Sequence, residues 1–298
     1  MAMIYRTEPV FVERPWGGSD FRGLFPQCPD GPIGEVWLLS GIKGKSTLIR
    51  QNGSIEPEVR NLSDRTEEMI GSTLPRFPVM IKLLKAKEWL SVQVHPDDRI
   101  ARIEEGEPWG KSEMWVVVGT DEEALLIDGL KKDFALESLR ERSDPEAFAR
   151  KIETALHFVK PEIGEIYEIP SGTVHALGPG VFVIEIQQTS ELTYRLFDWG
   201  RQRPVQVEKA VEAVVSDGLR AKKHLWIQGL SNDYFDCSFR SDGTAEGFCL
   251  LLSQGSLTID HIRCLPWQVI IVPLGEKVRL EGSYLHIGLG PIWRSYIQ

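Results

Sequence analysis

EIYEIPSGTVHALGPGVFVIEIQQT, residues 165–189, reads as three strands punctuated by two turns. EIYEIP (165–170), TVHAL (173–177) and VFVIEIQQT (181–189) are too short and too broken for helices. Ser171-Gly172 and Gly178-Pro179-Gly180 separate them, and both are turn formers. Outward from this stretch, TYRLFDW (193–199) continues the pattern downstream. Upstream, KSEMWVVVG (111–119), ALLIDG (124–129) and GEVWLLSG (34–41) are further strands. FPVMIKLLKA (77–86) and LSVQVHP (90–96) read as a hairpin joined by Lys87–Trp89. Residues 4–20 are short extended pieces broken by Pro15 and the Gly17–Gly18 pair.

The β pattern is interrupted in a few places. Residues 54–72 suggest short helices and a surface loop, and 97–110 a loop or short helix. Between 132 and 157, Ser143-Asp144-Pro145-Glu146 offers an N-cap and a first-turn proline. Phe148, Ile152 and Leu156 follow at helical spacing, and 204–217 is helical. After Gly218 come more short strands, FCLLLSQGSLTID, QVIIVPLG and YLHIGL. Residues 165–189 and 247–275 look like two weakly similar modules. Many short strands at hairpin spacing predict an antiparallel barrel or sandwich. No βαβ alternation and no glycine-rich phosphate loop are present.

The chain has 298 residues, 42% hydrophobic and 26% charged, which suits a globular enzyme of one or two domains. Its net charge of -9 argues against a nucleic-acid partner. An anionic small substrate would need a local basic pocket against the global field. Cys28, Cys237, Cys249 and Cys264 form no Cys-x-x-Cys pair and are expected to be reduced thiols. No signal-peptide pattern and no apolar run of membrane-spanning length is seen, so the expectation is a cytoplasmic protein without a membrane partner. The sequence sets no oligomeric state; a monomer is the simplest expectation.

Side chains two apart on a strand share a face. Gln93 and His95 therefore project together, as do Lys111, Glu113 and Trp115. His175 lies on a third strand just past the Ser171-Gly172 turn. Taken singly, histidines such as His95 and His175 are more often hydrogen-bonded residues than ligands, and Glu113 reads as half of an ion pair with Lys111. Jointly, two imidazoles, a carboxylate and an amide oxygen suit a borderline divalent ion such as zinc. Arg195 is flanked by Tyr194 and Leu196 of the opposite parity, which turns it inward. Trp37, Trp89 and Trp267 read as core, Trp16 as either core or pocket wall, and Arg201 as a solvated surface cation. His224, His261 and His286 lack paired spacing and read as structural or surface residues.

Four motifs in order make the sequence resemble a known family. QVHP (93–96), GKSEMW (110–115), PSGTVHALGPG (170–180) and QQTSELTYRLFD (187–198) are similar to those of type I mannose-6-phosphate isomerases of the short bacterial kind. RPWGG (14–18), GEVW (34–37) and PVMIKLL (78–84) also fit, and the likeness covers residues 5–200 well but the last third loosely. The resemblance implies a mainly β, cupin-type (jelly-roll) barrel with short helical insertions. It implies a metal-binding catalytic domain over 1–217 and a smaller, metal-free cupin-like module over 218–298. It implies one zinc ion per chain on Gln93, His95, Glu113 and His175, and Arg195, Lys111, Lys82 and Glu191 as catalytic residues. Glu191 departs from the aspartate usual in bacterial relatives, which changes the reach of that acid. The reaction implied interconverts mannose 6-phosphate and fructose 6-phosphate, for which Trp16 and Trp115 are candidates for a sugar-facing wall and Ser91, Lys111, Arg195 and Arg201 for phosphate donors. Two other readings are a non-catalytic sugar-binding relative that kept the zinc shell, and an iron oxygenase.

Overall fold

The computed structural model describes residues 2–18, 20–52, 59–215 and 221–295. The fold is mainly β, and its strands form three antiparallel sheets. The central sheet has seven strands in the order Lys222–Leu225, Glu165–Ile169, Glu113–Thr120, Val181–Gln188, Val79–Lys85, Ile33–Leu39 and Val10–Gly18. A five-stranded sheet runs Leu156–Val159, Leu126–Leu130, His175–Leu177, Val92–Val94 and Tyr194–Phe197. The third sheet has ten strands, drawn mostly from the last third of the chain.

Strand parity explains why the central sheet is apolar on both faces. Leu84, Trp115, Val117, Tyr167, Ile169, Val181 and Val183 pack with Leu126 and Leu177 of the five-stranded sheet. Their alternates Ile81, Leu83, Met114, Val116, Ile184 and Ile186 pack with Leu250, Leu252, Ile271, Leu285 and Ile287 of the ten-stranded sheet. The central sheet is thus a shared wall between two hydrophobic layers. Polar residues confined to its first face, Glu35, Lys82, Glu113, Glu185 and Gln187, are buried and need partners there.

Two short helices brace the outer side of the five-stranded sheet. Pro145–Ala155 is capped by Asp144, whose carboxylate accepts from the Glu146 and Ala147 amides, as the sequence indicates. Phe148 and Ile152 face inward from it, and Val207–Ala213 packs beside it. Leu156 is buried too, but it begins the next strand rather than closing the helix. Asp98–Glu104 supplies the short helix after the QVHP segment.

The hairpin expected from 77–86 and 90–96 does not form. Val79–Lys85 pairs with Ile33–Leu39 and Val181–Gln188, whereas Val92–Val94 pairs with strands containing His175 and Arg195. Residues 86–91 carry the chain from one sheet to the other, closing that end of the sandwich. The boundary read at 217/218 lies outside the described residues. On either side of it the chain shares sheets: Lys222–Leu225 extends the central sheet, and Tyr5–Thr7 is held between Leu48–Gln51 and Val269–Val272. Among the described residues, no helix is long and apolar enough to cross a membrane.

Candidate metal centre and cavity

The face-to-face sheets bring His95, Glu113 and His175 together, with one ligand atom from each lying within 4.8 Å of the others. All three are buried. His175 stands opposite Gln93 in register, and Glu113 opposite Gln187, so neighbouring strands deliver them to one spot. Gly172, in the turn before His175, has φ +86 and donates its amide to the His95 carbonyl at 2.8 Å. That turn therefore ties two ligand-bearing segments together.

The second ring nitrogen of each histidine fixes the tautomer. His95 Nδ1 lies 2.8 Å from the Leu192 carbonyl, and His175 Nδ1 lies 2.9 Å from the Thr173 carbonyl. A carbonyl only accepts, so both Nδ1 atoms donate and both Nε2 atoms keep a lone pair. His95 Nε2 is 3.1 Å from Glu113 Oε1, and His175 Nε2 is 3.6 Å from Glu113 Oε2. Burial, then the Lys111 ammonium, pushes His95 down to about 3, and burial also lowers His175. Burial alone would raise Glu113, but Lys111 and His95 hold it well below the usual carboxylate range. At neutral pH two imidazole lone pairs and a carboxylate converge in a dry site. This arrangement asks for a cation and has the make-up of a metal centre.

Lys111 supplies positive charge from one side, its Nζ 2.5 Å from Glu113 Oε1 and 3.2 Å from His95 Nε2. Gln93 points its amide Nε2 at His175 Nε2, 3.3 Å away, while Ser91 Oγ donates to Gln93 Oε1 at 3.2 Å. For Gln93 to act as a ligand its amide must turn over, which the broad terminal torsion allows.

A cavity of about 500 Å³ opens above this centre, lined by Gln93, His175, Lys111, Lys82, Glu191 and Arg195 among others. Six of the eight sequence-derived site residues thus border it, and His95 and Glu113 sit beneath them in contact with Lys111. Arg195 lines the cavity while Tyr194 and Leu196 enter the core, as their parity indicates. Trp16 and Trp115 also line it. Glu191 stands at the rim, paired with the half-exposed Lys45 at 2.8 Å. Arg201 does not line this cavity; it is held by Asp198 and the Trp89 carbonyl rather than by solvent.

Several cavity residues escaped the reading of the sequence. Lys82 Nζ donates to Glu185 Oε2 at 2.8 Å and to Gln187 Oε1 at 2.5 Å. Trp115 Nε1–H donates to both Glu113 and Glu185, each at 3.1 Å. Arg14 grips Glu35 through Nε at 2.7 Å and Nη2 at 3.1 Å. Trp37 is buried with Ile42 and Met80 as expected of a core residue, and it also borders the cavity and donates its Nε1–H to Glu35 Oε2 at 2.6 Å. Burial would raise Glu35, but Lys82 and Arg14 hold it down to about 2. For Glu185, burial and the nearby Glu113 charge outweigh Lys82 and raise it. The signal available was an acid or amide on the inward parity of an apolar strand, present in both GEVW and VFVIEIQQ.

An antiparallel β sandwich with two histidines and a glutamate converging inside it defines a cupin-type enzyme with a candidate metal centre. The family model for the type I phosphomannose isomerase catalytic domain matches residues 4–108. The mannose-6-phosphate isomerase ManA of Bacillus subtilis is 30% identical over 295 residues, 94% of this chain and 88% of that protein. A solved mannose 6-phosphate isomerase from Bacillus subtilis superposes with a TM-score of 0.79 at 26% identity, covering 96% of this chain and 99% of that one. A zinc-bound mannose 6-phosphate isomerase structure has a TM-score of 0.72 at 15% identity over 96% of this chain and 99% of that one, a likeness of fold. The chain belongs to the type I mannose-6-phosphate isomerase family, and it is an isomerase.

Proposed function

We propose that this chain interconverts mannose 6-phosphate and fructose 6-phosphate using one zinc ion per chain, held by Gln93, His95, Glu113 and His175. The observation that carries this reading is that the Nδ1–H bonds to carbonyls turn two Nε2 lone pairs toward Glu113 at the floor of a sugar-sized cavity. When bound, zinc supplies a Lewis acid for negative charge developing on the sugar O1 and O2. The reaction takes a proton from C2 of the aldose, passes through an enediol and returns a proton to C1. Arg195 contributes a permanent positive charge along the cavity wall. Lys82 acts as a second fixed cation: burial opposes its charge, but Glu185 and Glu35 raise its pKa and keep it protonated. Lys111 presents its Nζ donors to the enediolate oxygens. We assign the carbon-bound proton to the Glu191 carboxylate, whose ion-pair partner Lys45 is half exposed and free to give way. Trp16, Trp37 and Trp115 give the cavity apolar walls that exclude water and suit the C–H face of a sugar. The three buried, unpaired cysteines suit a reducing compartment, which supports a cytoplasmic location.

Metal analysis of the purified protein combined with an assay for ketose formation from mannose 6-phosphate tests this reading. Stoichiometric zinc with turnover is expected. Zinc without turnover points to a sugar-binding relative, and iron with oxygen uptake to an oxygenase; either sinks the proposal. His175→Ala is expected to empty the metal site. Arg195→Ala is expected to retain the metal while turnover falls by about 100-fold or more.

A further inference from the structure

Most cations lining the cavity are matched to a carboxylate. Arg14 has Glu35, Lys82 has Glu185 and Lys111 has Glu113. The wall next to Arg195 differs. Among the described residues no carboxylate lies within ion-pair distance of Arg195. Its Nη1 donates to the Pro204 carbonyl at 2.7 Å, and its buried Nε has no partner. Arg203 lines the same cavity and grips Asp198 through Nε at 2.7 Å and Nη2 at 2.6 Å. Arg201 shares that same carboxylate, at 3.0 Å. Arg201 also approaches the exposed Glu88, at 3.9 Å. Three guanidinium groups therefore gather around the buried Asp198 and this one outer acid, which leaves the wall net positive in a protein whose net charge is -9.

The segment bearing these groups is held rigidly. Asp198 is buried, with its side chain 2% exposed. Arg201 Nη2 donates to the Trp89 carbonyl at 2.6 Å, and Trp199 Nε1 to the Leu90 carbonyl at 2.7 Å. The Gln206 side chain accepts from the Arg195 amide at 2.9 Å, and the Gln206 amide donates back to the Arg195 carbonyl at 2.8 Å. Arg195 also stands opposite Gln93 in register, so the cationic wall adjoins the metal end of the cavity across one strand pair.

Resting on the isomerase reading, we propose that Arg203, oriented by Asp198 and acting with Arg195, docks the substrate's phosphate and sets the preference for phosphorylated sugars. A phosphate suits this net positive wall, where two arginines present unspent donors. Arg203 spends Nε and Nη2 on Asp198 and keeps its Nη1 hydrogens for a phosphate oxygen, while Arg195 offers its unpartnered Nε–H. Asp198 is a positioning residue, since it touches the arginines and does not line the cavity.

Steady-state kinetics on the metal-loaded full chain test this, with mannose 6-phosphate as substrate and inorganic phosphate as inhibitor. Arg203→Gln is expected to raise KM and the phosphate inhibition constant about 10–100-fold while kcat changes less than about 3-fold, the signature of lost uniform binding. Arg203→Lys keeps the charge but loses the fork, so it should fall between the two. Asp198→Asn is expected to shift KM and phosphate inhibition in the same direction as Arg203→Gln, with unphosphorylated mannose binding unchanged. KM and phosphate inhibition both staying within about 2-fold of wild type in Arg203→Gln overturn the proposal. Should that variant fail to fold, unchanged constants in Arg203→Lys overturn it equally. A wild-type protein that binds phosphate, loses that binding in Arg203→Gln, yet makes no ketose would sink the isomerase reading and leave the phosphate wall standing.

Discussion

Charged residues on the inward parity of this chain acquire their meaning from partners far away in sequence. Lys82 is read from the sequence as a candidate base, yet its ammonium is committed to Glu185, 103 positions downstream. No local pattern reports that distance, and so Glu185 and Glu35 went unseen while Lys82 did not. Arg195 was legible because both its neighbours are large and apolar, and parity alone then turns it inward. His95, Glu113 and His175, which the fold brings together, were legible from the shared parity of Gln93 with His95 and of Lys111 with Glu113, and from ordered motifs that resemble a known family. His286 illustrates a residue whose behaviour only the packing reveals. It lies in the ten-stranded sheet, opposite Ser238 and Leu251, with its buried Nδ1 unpartnered and Arg240 and Asp236 as its charged neighbours. Burial, then Arg240, pushes it down to about 4 from an ordinary value of 6.5. The unfolded chain therefore binds a proton before the folded one does. Stability from this group is complete above pH ~6.5 and declines as pH falls toward ~4, by about 3 kcal/mol. Denaturant unfolding of His286→Asn across that window should show a shallower acid decline than wild type. Identical slopes would assign the decline to other groups.

At the level of strands and turns, the sequence conveyed existence far better than pairing. Alternation identified 77–86 and 90–96 as strands and placed a turn between them, but alternation carries no information about which sheet a strand joins. Here the connection crosses the sandwich, because one strand is apolar on both faces and belongs in the shared wall. The other offers only Val92 and Val94 to a core, and presents Gln93 to the cavity while His95 follows it into the metal centre beneath. The helix at 145–155 was legible because its cap and first-turn proline are local chemistry. The Ser171–Thr173 turn is the element on which the metal centre leans. Gly172 takes a left-handed conformation, and a Cβ there would come within 2.6 Å of Val215 Cγ2 and 3.0 Å of the Ala213 carbonyl. Gly172→Ala should therefore cost about 1–3 kcal/mol of stability and weaken metal retention by displacing His175. Thermal unfolding with and without a chelator checks this. A variant as stable as wild type that holds metal equally well would remove the turn from the account.

For the molecule as a whole, the two hydrophobic layers share the central sheet, so neither is complete alone. Ile184 and Ile186 reach the ten-stranded sheet, while Val181 and Val183 on the same strand serve the catalytic layer. A chain ending at residue 220 would strip the cover from Ile81, Leu83, Val116, Ile184 and Ile186. Each of these fully buried side chains contributes roughly 1.5–3 kcal/mol through burial. Such a truncated protein is expected in the insoluble fraction, with little metal and no turnover. Recovery of a soluble, zinc-loaded and active 1–220 protein would show that the catalytic layer folds alone.

The strand at Tyr5–Thr7, hydrogen-bonded to Val269–Val272, has a bearing on how a cell makes this protein. A ribosome delivers Thr7 262 residues ahead of Val269, so this strand must wait for its mate while all the intervening chain is made. Until then, among the described residues, Leu48–Gln51 is the strand that can pair with it, and its other edge stays bare. Pairings that close so long a stretch of chain are slow to form, and nascent chains that expose them are prone to stick to one another. Chaperone demand during synthesis, and sensitivity of yield to growth temperature, follow from that single pair of neighbours.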